Sequence, residues 1–376
     1  MVVFTVSSTY TIFPFLEVIV MTKRVKKCGA FPDYMLSEFL RSPSGGISLS
    51  PASVDVTLSD EIYRLARYTL PRSGEKVREM LPLFGATKHS LSMQFELGVS
   101  YLIPLKEKIR LPKGVYGWAN PKSSTGRTDF HVQLISDGSS RFDGIPDGFQ
   151  GETFCIVTPN SFAGIFSYGE SLSQVRVFNQ DTRFSQQELE KEWEKNPLFL
   201  RMDGTPIAFD ELVVSDNDGS VLMTIDIPKS GLIGYKARLT RNIFDFSRRD
   251  YRIEDWFEPI YGDGTGILEL EPGRFYILYT KQQICVPDHL AAEMSPMSAR
   301  NGEFRSHYAG FFDPGFCGTI TLEVRSPISF ALRDDQPVGE VRFERVLAIP
   351  KKPYGLAGHN YQGQIGPKMS KHFLEP

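Results

Sequence analysis

Cysteine is scarce in this chain, and no cysteine pair has the spacing of a metal or redox site. The four cysteines lie far apart along the 376 residues and form no Cys-x-x-Cys. Neither a protein-bound zinc site nor a redox dithiol is therefore indicated. We expect free thiols in a reducing cytoplasm, at positions Cys28, Cys155, Cys285 and Cys317.

Excess positive charge and long apolar runs are also missing. The chain has 42 basic and 45 acidic residues, a net charge of −3, and no run of 18 apolar residues. These absences argue against a nucleic-acid strand as ligand and against a membrane span. The apolar stretch 12–21 lacks a preceding basic region and contains Pro14, unlike a signal peptide. We expect residues 1–28 to be an extension, with 1–20 either disordered or upstream of a true start at Met21.

Turn-forming residues, by contrast, are plentiful and evenly spread. The 32 glycines and 25 prolines suit many short strands joined by tight turns. An internal repeat is also present, because Tyr101–Ser123 aligns without gaps with Tyr276–Ser298 at an offset of 175. Downstream, Gly148–Gly151 matches Gly315–Gly318. A period this long is too large for a solenoid, so the sequence predicts one domain duplicated.

The predicted fold is mainly β, with a small β-barrel or jelly-roll domain in each half and a few short helices. The domains are expected at 29–183 and 198–376. Between them, Ser185 and Glu188 form a capping-box pattern that predicts a linker helix over 184–197. A second helix is expected at Asp33–Leu40.

The segment from Ala309 to Glu323 is the most informative for chemistry. Its strand alternates, so Thr319, Thr321 and Glu323 share one face, and the intervening residues of the other face should pack inward. Glu323 is a candidate catalytic acid at the strand end. The alternative is a solvent-exposed glutamate on an amphipathic strand.

Two further segments could contact an anionic ligand. The turn at 121–127 carries Ser123, Ser124 and Arg127, whose hydroxyl and guanidinium groups can bind phosphate oxygens. The alternative is an ordinary polar turn. Its copy in the second half is Ser298–Arg300, and the glycine-rich segment 360–364 near the C-terminus is either functional or a disordered terminus.

Together these segments resemble dCTP deaminases of the trimeric dUTPase-like superfamily. The resemblance rests on Asp313-Pro-Gly-Phe-x-Gly followed by Glu323, on Arg300, on the Ser-Ser-x-x-Arg turn and on the terminal Tyr-Gln-Gly-Gln. It covers roughly residues 30 to 372. It also implies two tandem dUTPase-like domains, as in a duplicated branch of the family.

The resemblance implies that water removes the 4-amino group of dCTP, giving dUTP and ammonia without zinc. Glu323 would be the general acid and base, Ala309 would supply a backbone contact beside the reacting group, and Arg300 with Ser298 would place water or phosphate. Asp313 would contact the sugar. The remaining implied substrate contacts are Ser123, Ser124, Arg127, Tyr361 and Gln364. Magnesium would be bound only through the triphosphate.

The two halves differ in complementary ways. Five residues after Gly318 comes Glu323, whereas five residues after Gly151 comes Ile156. The first half keeps the serine and arginine turn but lacks the acid. We therefore expect a composite site, with the turn from one half and the glutamate from the other.

Two alternatives to a dCTP deaminase stay open. One is a dUTP diphosphatase, or a bifunctional enzyme that deaminates and then cleaves to dUMP. The other is an inactive nucleotide-binding regulator. The resemblance further raises inhibition by dTTP and a homo-oligomer with trimeric or pseudo-trimeric packing of domains.

Overall fold

The computed structural model describes residues 27–43, 45–212, 214–215, 218–296, 298, 302, 304–356 and 359–374. The described residues fold mainly into β-strands, as predicted. Of the N-terminal extension, residues 1–26 lie outside the described residues. We refer to residues 27–183 as the first half and to residues 184–374 as the second half.

Short strands separated by turns account for most of both halves. The first half contains β1 (Gly29–Ala30), β2 (Leu40–Arg41), β3 (Leu49–Ser50), β4 (Ser53–Val56), β5 (Ile62–Arg64), β6 (Thr87–His89), β7 (Tyr101–Pro104), β8 (Lys108–Arg110), β9 (Val115–Pro121), β10 (Phe130–Ser136), β11 (Gly144–Ile145), β12 (Gln150–Gly151), β13 (Thr153–Pro159), β14 (Ala163–Ile165) and β15 (Ser173–Asn179). The second half contains β16 (Phe199–Leu200), β17 (Val214–Ser215), β18 (Ser220–Thr224), β19 (Leu232–Ala237), β20 (Ile243–Asp245), β21 (Phe257–Tyr261), β22 (Ile267–Leu270), β23 (Phe275–Cys285), β24 (Leu290–Met294), β25 (Phe311–Phe312), β26 (Cys317–Arg325), β27 (Phe330–Arg333) and β28 (Pro337–Arg345).

The helices of the described residues are few and short. They are α1 (Asp33–Leu36), α2 (Leu81–Phe84), α3 (Ser123–Gly126) and α4 (Gln186–Trp193), with 3-10 turns at Val77–Met80, Phe209–Glu211 and Ile253–Asp255. The helix expected at Asp33–Leu40 thus ends earlier, because β2 begins at Leu40. In α4 the Ser185 capping box forms as predicted. Leu189 and Trp193 of this helix pack on the core of the second half. The domain bounds themselves stay a prediction.

The strand pairing confirms the internal repeat. In the first half β7 pairs with β13 and β9 with β15, and in the second half the corresponding strands β23 and β24 pair with β26 and β28. Leu102 lies opposite Ile156, and its repeat partner Ile277 lies opposite Glu323. Ile156 and Glu323 therefore occupy the same place in the two halves, so the first half lacks the acid at that position.

The strands form several open sheets. The larger ones run β11-β9-β15-β4-β3 and β10-β13-β7-β5-β6 in the first half, and β16-β23-β19-β21 and β17-β18-β28-β24-β25 in the second. Among the described residues these pairings do not close into a barrel. The prediction of a mainly β fold is confirmed. The closed barrel that was one of the two expected domain architectures is not formed by these pairings.

The two halves share an apolar core, which fixes their relative position. Phe130 of the first half packs edge-on against Phe246 of the second, with ring centroids 4.9 Å apart. Phe162 contacts Trp256 at 4.9 Å in the same manner. Strand β14 also pairs in parallel with β20 across the boundary. Close aromatic packing of this kind resists displacement, so a pocket between the halves has fixed walls.

One expectation about the cysteines is wrong. Cys285 and Cys317 lie opposite each other on β23 and β26 and form a disulfide, with Cα atoms 4.1 Å apart. Cys28 and Cys155 are free thiols, as expected. The sequence does not reveal this pair, because strand register, not spacing along the chain, brings together two cysteines that are 32 positions apart.

No helix of the described residues is long and apolar enough to cross a membrane.

Candidate active site

A pocket of about 370 Å³ lies between the two halves and gathers most of the predicted site residues. Strand β26 and the segment before it form one wall, helix α3 forms another, and the C-terminal tail lies across them. Eight of the ten predicted residues line this pocket: Ser123, Ser124, Arg127, Ala309, Asp313, Glu323, Tyr361 and Gln364. Residues of both halves thus line one pocket of a single chain, and their roles in catalysis and binding stay predictions.

Glu323 is buried on the pocket side of β26. The alternation places Leu322 in the apolar core, while Glu323 is only 1% exposed, so the alternative of a solvent-exposed glutamate is wrong. The backbone amides of Tyr308 and Ala309 donate to its Oε2 at 2.6 and 3.0 Å. Burial raises the pKa of Glu323 to about 7, although these two donors and the positive charge of Arg127 oppose the shift. A carboxyl group with this pKa can both accept and release a proton near neutral pH.

Asp313 is a second buried carboxyl group of the pocket. Its Oδ1 accepts a hydrogen bond from the backbone amide of Ala52, in the first half, at 3.0 Å. Burial raises its pKa to about 7, which this hydrogen bond opposes. The Asp-Pro-Gly-Phe turn of the second half is therefore bound to the residue that directly precedes β4 in the first half. Contact of Asp313 with a sugar stays a prediction.

Helix α3 is a single helical turn that lies directly against Glu323. The turn is closed by hydrogen bonds from the amides of Thr125 and Gly126 to the carbonyl of Lys122, at 2.8 and 3.0 Å. A Cβ atom added at Gly126 would lie 2.4 Å from Oε2 of Glu323. Only glycine at this position lets the backbone of the first half approach the carboxyl group of the second half so closely.

Gly126→Ala should therefore impair the site selectively. The added methyl group would displace the Glu323 carboxyl group from its amide donors, and we expect turnover to fall about 100-fold. Steady-state kinetics of ammonia release from dCTP, the substrate that the family resemblance implies, would measure the loss. Gly46→Ala is the matched control, because a Cβ atom there meets nothing within 4 Å. Equal activity of both variants would contradict the close packing of α3 on Glu323.

Arg127 joins the first half to the C-terminal tail. Its guanidinium group donates to Gln364 Oε1 and to the carbonyl of Lys368, both at 3.1 Å, and lies 3.8 Å from the centre of the Tyr361 ring. The hydroxyl of Ser370 donates to the carbonyl of Ser124 at 2.8 Å. The tail is thus packed over the pocket, and the alternative of a disordered terminus is wrong for these residues.

Two predicted residues are not found at the pocket. Ser298 lies elsewhere, because its hydroxyl donates to Glu340 Oε1 at 3.2 Å, and Glu340 lines a different cleft of about 970 Å³. That cleft is larger but contains neither Glu323 nor α3. Ser298 therefore does not line the pocket that holds Glu323, and its role in placing water or phosphate stays a prediction. Arg300 lies outside the described residues.

Basic residues that the sequence reasoning missed complete the pocket wall. Lys122 lines the pocket and forms an ion pair with Asp55, and Lys371 of the tail lines it as well. Burial and the neighbouring charge of Lys122 lower the pKa of Lys371. Lys122 directly precedes Ser123, so its charge next to two hydroxyl groups could have indicated phosphate binding from the sequence. Nothing in the sequence around Lys371 indicated that it lies at the pocket.

Among the described residues, no group of three or more His, Cys, Asp or Glu side chains could hold a metal ion.

Comparison with known proteins gives the same family for both halves. The N-terminal domain model of 2'-deoxycytidine 5'-triphosphate deaminase matches residues 40–181, and the C-terminal domain model matches residues 186–373. The crystal structure of 2'-deoxycytidine 5'-triphosphate deaminase from Agrobacterium tumefaciens has 31% sequence identity and a TM-score of 0.77. The similarity covers 87% of this chain and 100% of that one.

Curated relatives match a shorter part of the chain. The "dCTP deaminase, dUMP-forming" of Coprothermobacter proteolyticus is 37% identical over 123 residues, which are 32% of this chain and 66% of the relative. The protein of the same name from Leifsonia xyli is 36% identical over 111 residues, 28% of this chain and 55% of the relative. The matches thus span less than two thirds of these relatives. Since the two domain models and the solved structure together cover nearly the whole described chain, this protein belongs to the dCTP deaminase family.

Proposed function

We propose that this protein is an enzyme that hydrolyses the 4-amino group of dCTP, releasing ammonia and giving dUTP. The observation that carries the proposal is the buried Glu323 carboxyl group, held by two backbone amides in a pocket with basic walls. Its pKa of about 7 suits a group that must take up and return a proton in one reaction.

The proton transfers follow from this position. The Glu323 carboxylate accepts a proton from water as the water oxygen bonds to C4 of cytosine. Glu323 then returns that proton to the ring nitrogen N3. The second proton of the attacking water goes to the amino group, the C4–N bond breaks, and ammonia leaves. We propose that no protein-bound zinc takes part, since this chain lacks the Cys-x-x-Cys element that holds the metal in zinc deaminases.

The triphosphate would lie along the basic wall. Lys122, Arg127 and Lys371 bring positive charge to one side of the pocket, although the whole chain carries a net charge of −3. Such a local cluster can bind phosphate oxygens without a broadly positive surface. Magnesium would arrive with the triphosphate as part of the substrate, where it neutralises charge.

A second candidate product is dUMP. The relatives from C. proteolyticus and L. xyli are named as dUMP-forming enzymes, which favours a further hydrolysis that releases pyrophosphate. A diphosphatase that lacks deaminase activity is disfavoured, because the buried Glu323 carboxyl group, held by two backbone amides, suits the proton transfers of deamination.

Separate measurement of the two released products distinguishes these functions. With dCTP and magnesium, we expect ammonia to be released at a rate that saturates with dCTP. Pyrophosphate released in equal amount would establish the dUMP-forming reaction, and ammonia alone would establish dUTP as the product. Pyrophosphate from dUTP without ammonia from dCTP would contradict the proposal and indicate a dUTP diphosphatase.

A regulator that binds nucleotide without turnover is the remaining alternative. It would be favoured if the chain bound dCTP, released no ammonia, and kept its biological effect after Glu323→Gln. Inhibition by dTTP, a cytoplasmic location and a homo-oligomer with trimeric or pseudo-trimeric domain packing stay predictions. The number of chains can be measured by sedimentation.

A further inference from the structure

Asp129 is a completely buried acidic residue at the junction of the two halves. It lies two residues after Arg127, and its amide donates to the carbonyl of Gly126 at 2.9 Å, which closes the end of helix α3. Its φ of +58° is in the left-handed region, which residues other than glycine rarely adopt. A charged residue that is buried in such a conformation requires specific contacts to hold it.

Few described residues share this backbone conformation without being glycine. Besides Asp129, only Asp143, Gln180 and Asp335 of the described residues have a positive φ and a side chain beyond glycine. Glycine would suit the backbone at residue 129, so the aspartate in its place points to a role for the carboxyl group.

The carboxyl group of Asp129 connects to the second half on both oxygens. The phenol of Tyr308 donates to Oδ1 at 2.9 Å. The hydroxyl of Ser161 donates to Oδ2 at 2.5 Å, and the guanidinium group of Arg325 forms an ion pair with the same oxygen. Asp129 thus receives hydrogen bonds from a phenol, a hydroxyl and a guanidinium group in a buried place, where each bond is hard to replace with water.

Both partners in the second half belong to the segments that hold Glu323. The amide of Tyr308 is the shorter of the two donors to Glu323, at 2.6 Å. Arg325 follows Glu323 by two residues on β26, and therefore lies on the same face of that strand. In the first half, the residue that corresponds to Arg325, counted from the equivalent glycines Gly151 and Gly318, is Thr158. An arginine that pairs with Asp129 is therefore present on β26, two residues from Glu323, and the corresponding residue of β13 is an uncharged threonine.

We propose that Asp129 is a positioning residue, supplied by the first half, for the catalytic carboxyl group of the second half. Through Tyr308 it fixes the peptide that donates to Glu323, and through Arg325 it fixes the strand. At the same time its amide fixes α3 against the carboxyl group. The inference rests on the proposed function, and it assigns to the first half a part in catalysis in addition to substrate binding.

Tyr308→Phe is the sharpest test, because it removes the phenol that links Asp129 to the Glu323 peptide and leaves the backbone amide in place. We expect kcat for ammonia release from dCTP to fall about tenfold, while KM changes less than about threefold. Asp129→Gly removes the whole side chain but keeps a residue that suits the positive φ. Its kcat should fall about 100-fold, and adding Tyr308→Phe should lower it no further.

The control is Asp335→Gly, which makes the same exchange at another positive φ, +67°, in an exposed turn outside the pocket. Its kcat should equal that of the unchanged chain. An unchanged kcat in Tyr308→Phe, or a raised KM with unchanged kcat, would overturn the inference even if Asp129→Gly fails to fold. If the unchanged chain itself releases no ammonia from dCTP, the proposed function fails, and the inference fails with it.

Discussion

Replacing Glu323 by glutamine is expected to reduce ammonia release from dCTP by about 1000-fold or more. Glutamine keeps the size of the side chain and an oxygen that can accept from the Tyr308 and Ala309 amides. It cannot take up the water proton, and loss of a general acid and base commonly costs 10²- to 10⁴-fold in rate, or about 3 to 5 kcal/mol of barrier. Ammonia release under saturating dCTP measures the effect.

The same substitution should stabilise the folded chain at alkaline pH. Burial raises the pKa of Glu323 from its ordinary 4.5 to about 7, so between these values the folded chain binds more protons than the unfolded chain. Stability therefore falls as pH rises through this window, and above it the buried carboxylate costs about 1 to 3 kcal/mol. Glutamine does not ionise and escapes this cost. The free energy of unfolding, measured in urea at pH 5 and pH 8, should favour Glu323→Gln only at pH 8.

Glu188→Gln serves as control for both measurements. Glu188 lies on the exposed side of α4 outside the pocket, and hydrogen bonds from Ser185 lower its pKa. Its replacement should leave ammonia release unchanged and should not stabilise the chain at pH 8. Activity of Glu323→Gln above about a tenth of the original would contradict the assigned role. Loss of activity without any gain in stability at pH 8 would contradict the raised pKa.

The repeat allowed much of the fold to be predicted from the sequence. The gapless alignment of residues 101–123 with 276–298 predicts duplicated strands, and the pairing of β7 with β13 and of β23 with β26 follows that alignment. Counting from the matching Gly151 and Gly318 also identified Ile156 as the counterpart of Glu323, which the strand register confirms. The alternation of polar and apolar residues predicted the polar face of β26, because successive side chains of any strand point to opposite faces, whatever packs against them.

The contacts that complete the pocket could not be predicted in the same way. Arg127 is bound by Gln364, and Asp129 by Tyr308 and Arg325, each more than 170 residues away in sequence. Contacts of this kind depend on how two complete domains pack, and no local pattern encodes them. The burial of Glu323 was missed for the same reason, since an amphipathic strand looks identical whether its polar face meets water or another domain.

Changing Ser123 and Arg127 together to alanine should abolish turnover, although both residues lie in the half without the acid. Arg127 is 4% exposed and contacts Gln364, Lys368 and the ring of Tyr361, so its loss removes a positive charge from the pocket and releases the tail. We expect kcat/KM for dCTP to fall about 1000-fold, since truncating a buried charged partner leaves polar groups unpaired. Protease cleavage of the tail should become faster in parallel.

The matched control is Ser139→Ala with Arg141→Ala, which changes the same residue types in the same half. Arg141 lies over the ring of Trp118 and lines the larger cleft, so this variant should keep its activity and a protected tail. Full activity after loss of Ser123 and Arg127 would restrict the site to the second half.

Mixing two inactive variants then decides whether one chain supplies the whole site. Gly126 and Glu323 meet within a single chain, so a chain lacking Ser123 and Arg127 should not restore activity to a chain with Glu323→Gln. Each chain in the mixture would still contain one defective wall in its own pocket. Mixed samples refolded together should therefore stay as inactive as either variant alone. Recovery of a substantial fraction of the original rate would show that the serine and arginine turn of one chain serves the glutamate of another.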